Sequence, residues 1–220
     1  YQNNKSGGYS YLLPKFNRKA LGVFATHEYQ LSNKLKTEFG VRADWADLKI
    51  NAYCDTILYQ YLINSGRNEA LANYYAQRTP ELDKDFNAFS FALGLNDDLA
   101  PNWNWNFTAA SNFRFPTAIE LASNGIHHGA FRHEQGDANL DPEKGWAFDT
   151  VLSHEIDGFS VSLSPYVYYF TNYIYLKPSG QFSILPHGGQ IYTYTQSKAL
   201  LAGFELELTK TFWNKLTVNS

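Results

Sequence analysis

Alternation of apolar and polar residues, sustained over ten or more positions at a time, is the feature that most limits what this chain can become. Side chains point to opposite faces of a strand with a period of two, and an ordinary strand lasts only about five or six residues. In "LKTEFGVRADWADL" one face carries Leu35, Thr37, Phe39, Val41, Ala43 and Trp45, while Lys36, Glu38, Arg42 and Asp44 take the other. "NWNWNFTAASNF" sets Trp103, Trp105, Phe107, Ala109, Ser111 and Phe113 against Asn104, Asn106, Thr108 and Asn112. "WAFDTVLSHEI" separates Trp146, Phe148, Leu152 and Ile156 from Asp149, Ser153 and Glu155, and "FSVSLSPYVYY" separates Phe159, Val161, Leu163, Val167 and Tyr169 from serines. Further strands are expected at 18–30, 86–97 and 191–208, the last with Leu200, Phe204, Leu206 and Leu208 opposite Glu205 and Glu207. Over Leu35–Trp45, Trp103–Phe113, Trp146–Ile156 and Phe159–Tyr169 the apolar faces contain no Asp, Glu, Lys or Arg. A Lys or Arg at mid-bilayer on a lipid-facing surface costs about 2–4 kcal/mol, so such a face would exclude them.

The links between these runs alternate in length. Short ones are expected near 31–33, at 98–101, at Asp157-Gly158 and near 210–214, and long ones at 49–85, 114–144 and 171–190. Asp-Gly between two alternating runs signals a tight hairpin, because that turn needs positive φ. Alternating short turns and long loops is the pattern of outer-membrane barrels. Lipid cannot satisfy backbone N–H and C=O groups, so strands in a membrane must pair all round. The expected fold is therefore all-β, an antiparallel meander over 1–220 forming an arc of a wide transmembrane barrel, with two open edges when isolated. Within the first long link, "RNEALANYYAQR" reads either as a short helix capped by Asn68, with Leu71, Tyr74 and Tyr75 on one side, or as packed loop.

Composition removes several alternatives. With 18 Lys+Arg against 21 Asp+Glu there is no basic stripe for nucleic acid, and no apolar run reaches the length of a transmembrane helix. The single cysteine, Cys54, excludes an internal disulfide and is expected to pack as a buried or half-buried apolar group. No GxSxG, P-loop or HExxH motif points to an enzyme, and no resident cofactor is expected. The chain starts at Tyr1, contains no Met, and stops at Ser220 within what reads as a new strand, as expected of a piece of a longer protein. Tyr, Phe and Trp make up 17% of it although its mean hydropathy is −0.39. Tyr168, Tyr169, Tyr173 and Tyr175, with Trp103 and Trp146, fit an interfacial aromatic belt. A soluble β-sandwich of lectin type, its rings stacking on sugars, is the rival architecture. A glycoside hydrolase arc using Glu134 and Asp137 is a second rival.

The stretch "FRFPTAIELASNG…DANLDPEKG", followed by "YTYTQSKALLAGFELEL", resembles the barrel of a TonB-dependent outer-membrane receptor. Phe113-Arg114-Phe115-Pro116 and Asp137-Ala138-Asn139-Leu140 match imperfectly the two boxes, FRAP and NPNL, that haem receptors of that family carry around one extracellular loop. Glu120-Leu121 and Pro142-Glu143 also stand at family-like positions. The resemblance implies a roughly 22-stranded barrel with a plugged lumen in the outer membrane of a Gram-negative bacterium. It further implies uptake of an iron chelate, siderophore or haem, energised by the TonB complex through a plug domain that this stretch does not include. Ala138 and Phe115 depart from the haem boxes.

His127, His128 and His133 lie between the boxes, where haem receptors place a ligand-binding histidine. If residues 129–132 form a hairpin tip, His128 faces His133 at about 5 Å between Cβ atoms, close enough to share a metal, with Glu134 completing a mixed site. The alternative is that these are hydrogen-bonding loop residues. Arg132 and Arg114 offer forked donors to an anionic ligand, although Arg114 fits equally a pair with an inward acid at the barrel rim. Pro116 reads as a strand terminator.

Overall fold

The computed structural model describes residues 1–5, 11–213 and 216–220. Its strands in chain order are β1 (Gln2–Asn4), β2 (Phe16–Gln30), β3 (Leu35–Ile50), β4 (Tyr53–Cys54), β5 (Gln77–Thr79), β6 (Leu82–Ala100), β7 (Trp103–Arg114), β8 (Asn124–His127), β9 (Arg132–Gln135), β10 (Glu143–Ile156), β11 (Phe159–Phe182), β12 (Gln190–Phe212) and β13 (Leu216–Asn219). Three helices, α1 (Thr56–Asn64), α2 (Glu69–Ala76) and α3 (Ala118–Ala122), lie in the long links. Eleven strands form one sheet in the order β1-β2-β3-β6-β7-β10-β11-β12-β9-β8, with β13 also on β12, and the sheet does not close. Apart from it, only the two-stranded β4–β5 ribbon occurs among the described residues. A sandwich needs a second packed sheet, so the lectin-like architecture is not the one this chain adopts.

Antiparallel register makes the two faces continuous. Directly paired residues share a face, and Phe39, Leu93, Ala109, Phe148, Val167 and Ala202 stand abreast across β3, β6, β7, β10, β11 and β12. One residue over, the row on the other face reads Glu38, Gly94, Thr108, Asp149, Tyr166 and Gly203. The apolar face ends toward the long loops beyond the Leu21–Trp45 pair. There Lys19, Asp47 and Asp85 pair side by side, and Lys49 bridges Asp83 at 2.9 Å.

Strand ends exceed the expected ones where pairing continues past the apolar band. β11 and β12 run on together through a register shift between Phe170 and Tyr173, so the expected long link 171–190 shrinks to residues 183–189. Strand alternation corrects the aromatic belt. Tyr168 lies on the polar face, donating its hydroxyl to Asp149 at 2.7 Å, whereas Tyr169, Tyr173, Tyr175 and Trp146 are exposed on the apolar one. Trp103 marks the opposite, short-turn end, stacked on His154 at 4.4 Å. Asp157 and Gly158 have φ of 42° and 70°, the double positive φ of the expected hairpin. The short link after β12 includes residues 214 and 215, which lie outside the described residues.

Helix α2 forms where Asn68 caps it, its side chain accepting from Leu71 N at 2.8 Å. Helix α1 is absent from the sequence reading although Asp55 caps it in the same way, accepting from Leu58 N at 2.9 Å. Cys54, the second residue of the two-residue β4, is exposed, against the expected burial. The main apolar core lies at the loop end on the polar face of the sheet. Leu48, Ile50 and Phe86 of the wall meet Phe115, Leu121 and Leu140 of the 115–142 link there.

Candidate functional site

The 115–142 link folds inward from the end of β7 in three steps. Pro116 ends the strand, as its missing N–H requires, and Thr117 starts α3 through a capping box. Glu120 N donates to Thr117 Oγ1 at 3.3 Å, and Thr117 N donates to Glu120 Oε2 at 2.7 Å. Glu120 also receives Arg114 Nη1 at 2.8 Å, and Arg114 Nη2 reaches Glu143 at 3.2 Å. Glu143 accepts from Ile174 N as well, at 2.8 Å. Arg114 thus ties β7, α3 and β10 together as an internal ion-pair partner.

The two boxes close the base of the link. Phe113 and Phe115 pack at 5.1 Å between ring centroids, and Phe115 stacks on Phe86 at 5.5 Å. Asp137 N donates to Glu120 O at 2.8 Å, and its side chain accepts from Asn139 N at 2.9 Å, which folds Ala138 and Asn139 into a turn and buries Leu140. Arg114, Phe115, Pro116, Asp137 and Leu140 therefore anchor the link.

Above that base β8 and β9 make a hairpin. Its register pairs His127 with Arg132 and Ile126 with His133, and residues 128–130 form a 3-10 turn at the tip. The tip closes one residue earlier than expected, over 128–131 with Phe131 at φ 48°, so Ile126 rather than His128 stands opposite His133. His128 stands exposed at the tip and His133 is fully buried. Among the described residues no group of three or more His, Cys, Asp or Glu is placed to hold a metal, so the expected His128–His133–Glu134 constellation does not form.

His133 instead locks three links together. Asn124 Nδ2 donates to Tyr74 O at 2.6 Å and Gln77 O at 2.8 Å, which turns its Oδ1 to His133 Nε2 at 2.7 Å. The ring therefore donates from Nε2, and its Nδ1 takes the Ser183 hydroxyl at 3.0 Å. Tyr75 meets the ring edge-on at 5.6 Å and donates nothing to it; its hydroxyl accepts from Ile184 N at 3.2 Å. Burial, with the nearby Arg78 guanidinium, lowers the His133 pKa to about 4, so the ring is neutral at physiological pH.

Glu134 is buried on the other side of β9, with Arg132 Nε at 2.7 Å, His127 Nδ1 at 2.8 Å and Tyr194 Oη at 3.0 Å. Burial pushes its carboxyl up, but these three hydrogen bonds outweigh it and hold the group below its usual range. An ionised carboxylate engaged by three donors is poorly placed to act as a general acid. Of the sequence-derived residues, His127 and His128 are exposed, Arg132 is half-buried, and His133 and Glu134 form the layer beneath. Asn124, Ser183 and Tyr194, absent from the sequence reading, complete that layer with Tyr74 and Tyr75, which the sequence placed only on a possible helix face. The signal that reaches part of it is the Asn68 cap of the helix carrying Tyr74 and Tyr75.

The TonB dependent receptor-like β-barrel family model matches residues 1–220. A double mutant of the Serratia marcescens haemophore receptor HasR, solved with its haemophore HasA and haem, superposes with a TM-score of 0.66 at 19% identity, covering 91% of this chain and 33% of that one. The copper transporter OprC gives a TM-score of 0.70 at 16% identity, covering 92% of this chain and 28% of that one. The ferric-catecholate import receptor Fiu from E. coli K12 gives 0.56 at 16%, covering 90% of this chain and 26% of that one. At these identities the likeness is one of fold. The chain spans about a third or less of each of those receptors.

Proposed function

The chain belongs to the TonB-dependent receptor β-barrel family, and from that premise we propose that it forms part of the wall of an outer-membrane receptor for an iron complex, siderophore or haem. The observation that carries this reading is the three-link layer at one end of the sheet, built on His133 and Glu134 and presenting His127 and His128 outward. In this reading Arg132, His133 and Glu134 position the tip, and His127 and His128 touch the ligand. The first box, Phe113 to Pro116, and the second, Asp137 to Leu140, fix the link to the wall. Energy arrives from the TonB complex through a plug domain supplied by the rest of the receptor.

The apolar face supports a lipid boundary. On β3 the uncharged face runs from Leu35 to Trp45, ten residue steps. Those steps cover about 33 Å along a strand and about 25 Å along the membrane normal at a tilt of about 40°, the height of the apolar band in outer-membrane barrels.

The test is growth of a receptor-deletion strain carrying the intact receptor, supplied with one ferric siderophore or haem at a time. Uptake of one such source, lost in the His127→Ala/His128→Ala double variant at unchanged receptor abundance, is the expected outcome. Wild-type growth of the double variant on every source the receptor supports overturns the contact role of the histidines. Failure of the intact receptor to support growth on any of these sources overturns the uptake reading itself.

A further inference from the structure

His128, at the hairpin tip, is not alone. The ring of His187, from the link between β11 and β12, lies 6.4 Å from it, centroid to centroid, at an interplanar angle of 52°. Both side chains are exposed. We propose that His128 and His187 form a two-imidazole site for a borderline divalent metal ion, copper(II) above all, at the outer surface of the loop layer.

The spacing fits one shared ion. With metal–nitrogen bonds of about 2.1 Å and roughly 1.2 Å from ring nitrogen to ring centre, two imidazoles on opposite sides of one ion have centroids roughly 6.5 Å apart. Smaller N–metal–N angles bring the rings closer, within reach of side-chain rotation on an exposed surface.

The backbone holds both rings in place. Leu185-Pro186-His187-Gly188 is a turn closed by Gly188 N to Leu185 O at 3.1 Å, with Pro at its second position and His187 at its third with φ 62°. That is the pattern of a type II turn, whose third position glycine fills without steric cost. Here an imidazole occupies it, and side chains kept at such sparsely populated positions cluster at functional sites. The turn is braced by Ser183 N to Gly189 O at 2.9 Å. Gly189 then lies so close to Phe131 O that a Cβ at that position would overlap it. The two links therefore meet backbone to backbone beside the two rings, and neither histidine depends on the other for its position.

Ligand chemistry selects the ion. Two neutral imidazoles without thiolate suit copper, nickel and zinc, and copper(II) stands at the top of the affinity order for a fixed nitrogen site. The nearest acid of the hairpin, Glu134, is saturated by its three donors, so water completes the coordination. The site shares His128 with the proposed ligand contact but does not rest on it, and it holds or fails whichever complex the receptor carries.

The intact receptor in detergent is titrated with CuCl2, NiCl2 and ZnCl2, and copper(II) binding is followed by calorimetry and electron paramagnetic resonance. Expected are one copper per receptor with splitting from two nitrogens, and tighter binding of copper than of nickel or zinc. His128→Ala and His187→Ala should each weaken copper by more than the roughly 10–100-fold that loss of an outer-shell partner costs. His187→Gly keeps the turn, since glycine accepts its positive φ, and removes the ring, so its loss of copper cannot be attributed to misfolding. Copper affinity unchanged in His187→Gly, or a spectrum with one nitrogen or none in the wild type, overturns the proposal.

Discussion

Lowering the pH from 7 to 5 should release the loop layer by protonating His133. In the closed layer its pKa is about 4, through burial and the Arg78 charge, whereas in an opened loop it returns to about 6.5. The opened form binds the proton more tightly, so stability is full above about pH 6.5 and falls as the pH drops toward 4. Integrating between the two pKa values, the layer loses about 1.8 kcal/mol from pH 7 to pH 5, a roughly 20-fold rise in the opening equilibrium. Glu134 does not confound this window. Its carboxyl is held below the usual range, so its contribution persists until the pH falls below about 4.5. Hydrogen exchange of the intact receptor, followed by mass spectrometry and corrected for intrinsic rates, reads the opening directly over residues 124–135 and 183–189. A His133→Asn variant should be less protected at pH 7 and should show little change between pH 7 and 5. Equal pH dependence in variant and wild type, or protection that rises on acidification, would refute the assignment of His133 as the titrating lock.

Three further outcomes follow from the geometry. Arg114→Ala leaves Glu120 and Glu143 facing each other without their cation. It should destabilise the barrel by about 2–3 kcal/mol, at or below the low end for a broken buried pair because the Arg114 side chain is 40% exposed; the shift in heat-induced gel mobility measures it, and Arg114→Lys should recover part. Thr117→Ala removes the capping box of α3 and should cost about 1 kcal/mol, seen as faster exchange confined to residues 117–123. Phe204→Lys, in the middle of the apolar face of β12, should lower the free energy of folding into lipid vesicles by about 2–4 kcal/mol. Glu205→Lys, one residue along on the polar face, should change it by much less.

The strands were legible because alternation is a local property. Phe39 and Val41 declare their face without reference to any partner, and the Asp157-Gly158 turn declares its φ angles. The same logic offered α2, through Asn68, as one of two readings and passed over α1, although Asp55 provides an equivalent cap. The loop layer was legible only in part. The sequence singled out this link, but the placement of its residues depended on where the hairpin tip falls: it closes one residue earlier, over 128–131 with Phe131 at φ 48°, and exchanges a facing His128–His133 pair for facing His127–Arg132 and Ile126–His133 pairs.

By itself the sequence determined that this chain is one long antiparallel meander with an uncharged face, and it named the link that stands over one end. Period-two patterning and turn chemistry are written in neighbouring residues. Which side chains in that link are buried and which are presented was decided only by the tertiary structure. His133 is sealed by Asn124, Ser183 and Tyr75, and His128 meets His187, from links about 50 or more positions away for three of these contacts and nine for the other. Contacts between links leave no periodic trace along the chain, since the burial that fixes them comes from how the sheet brings distant loops to one rim.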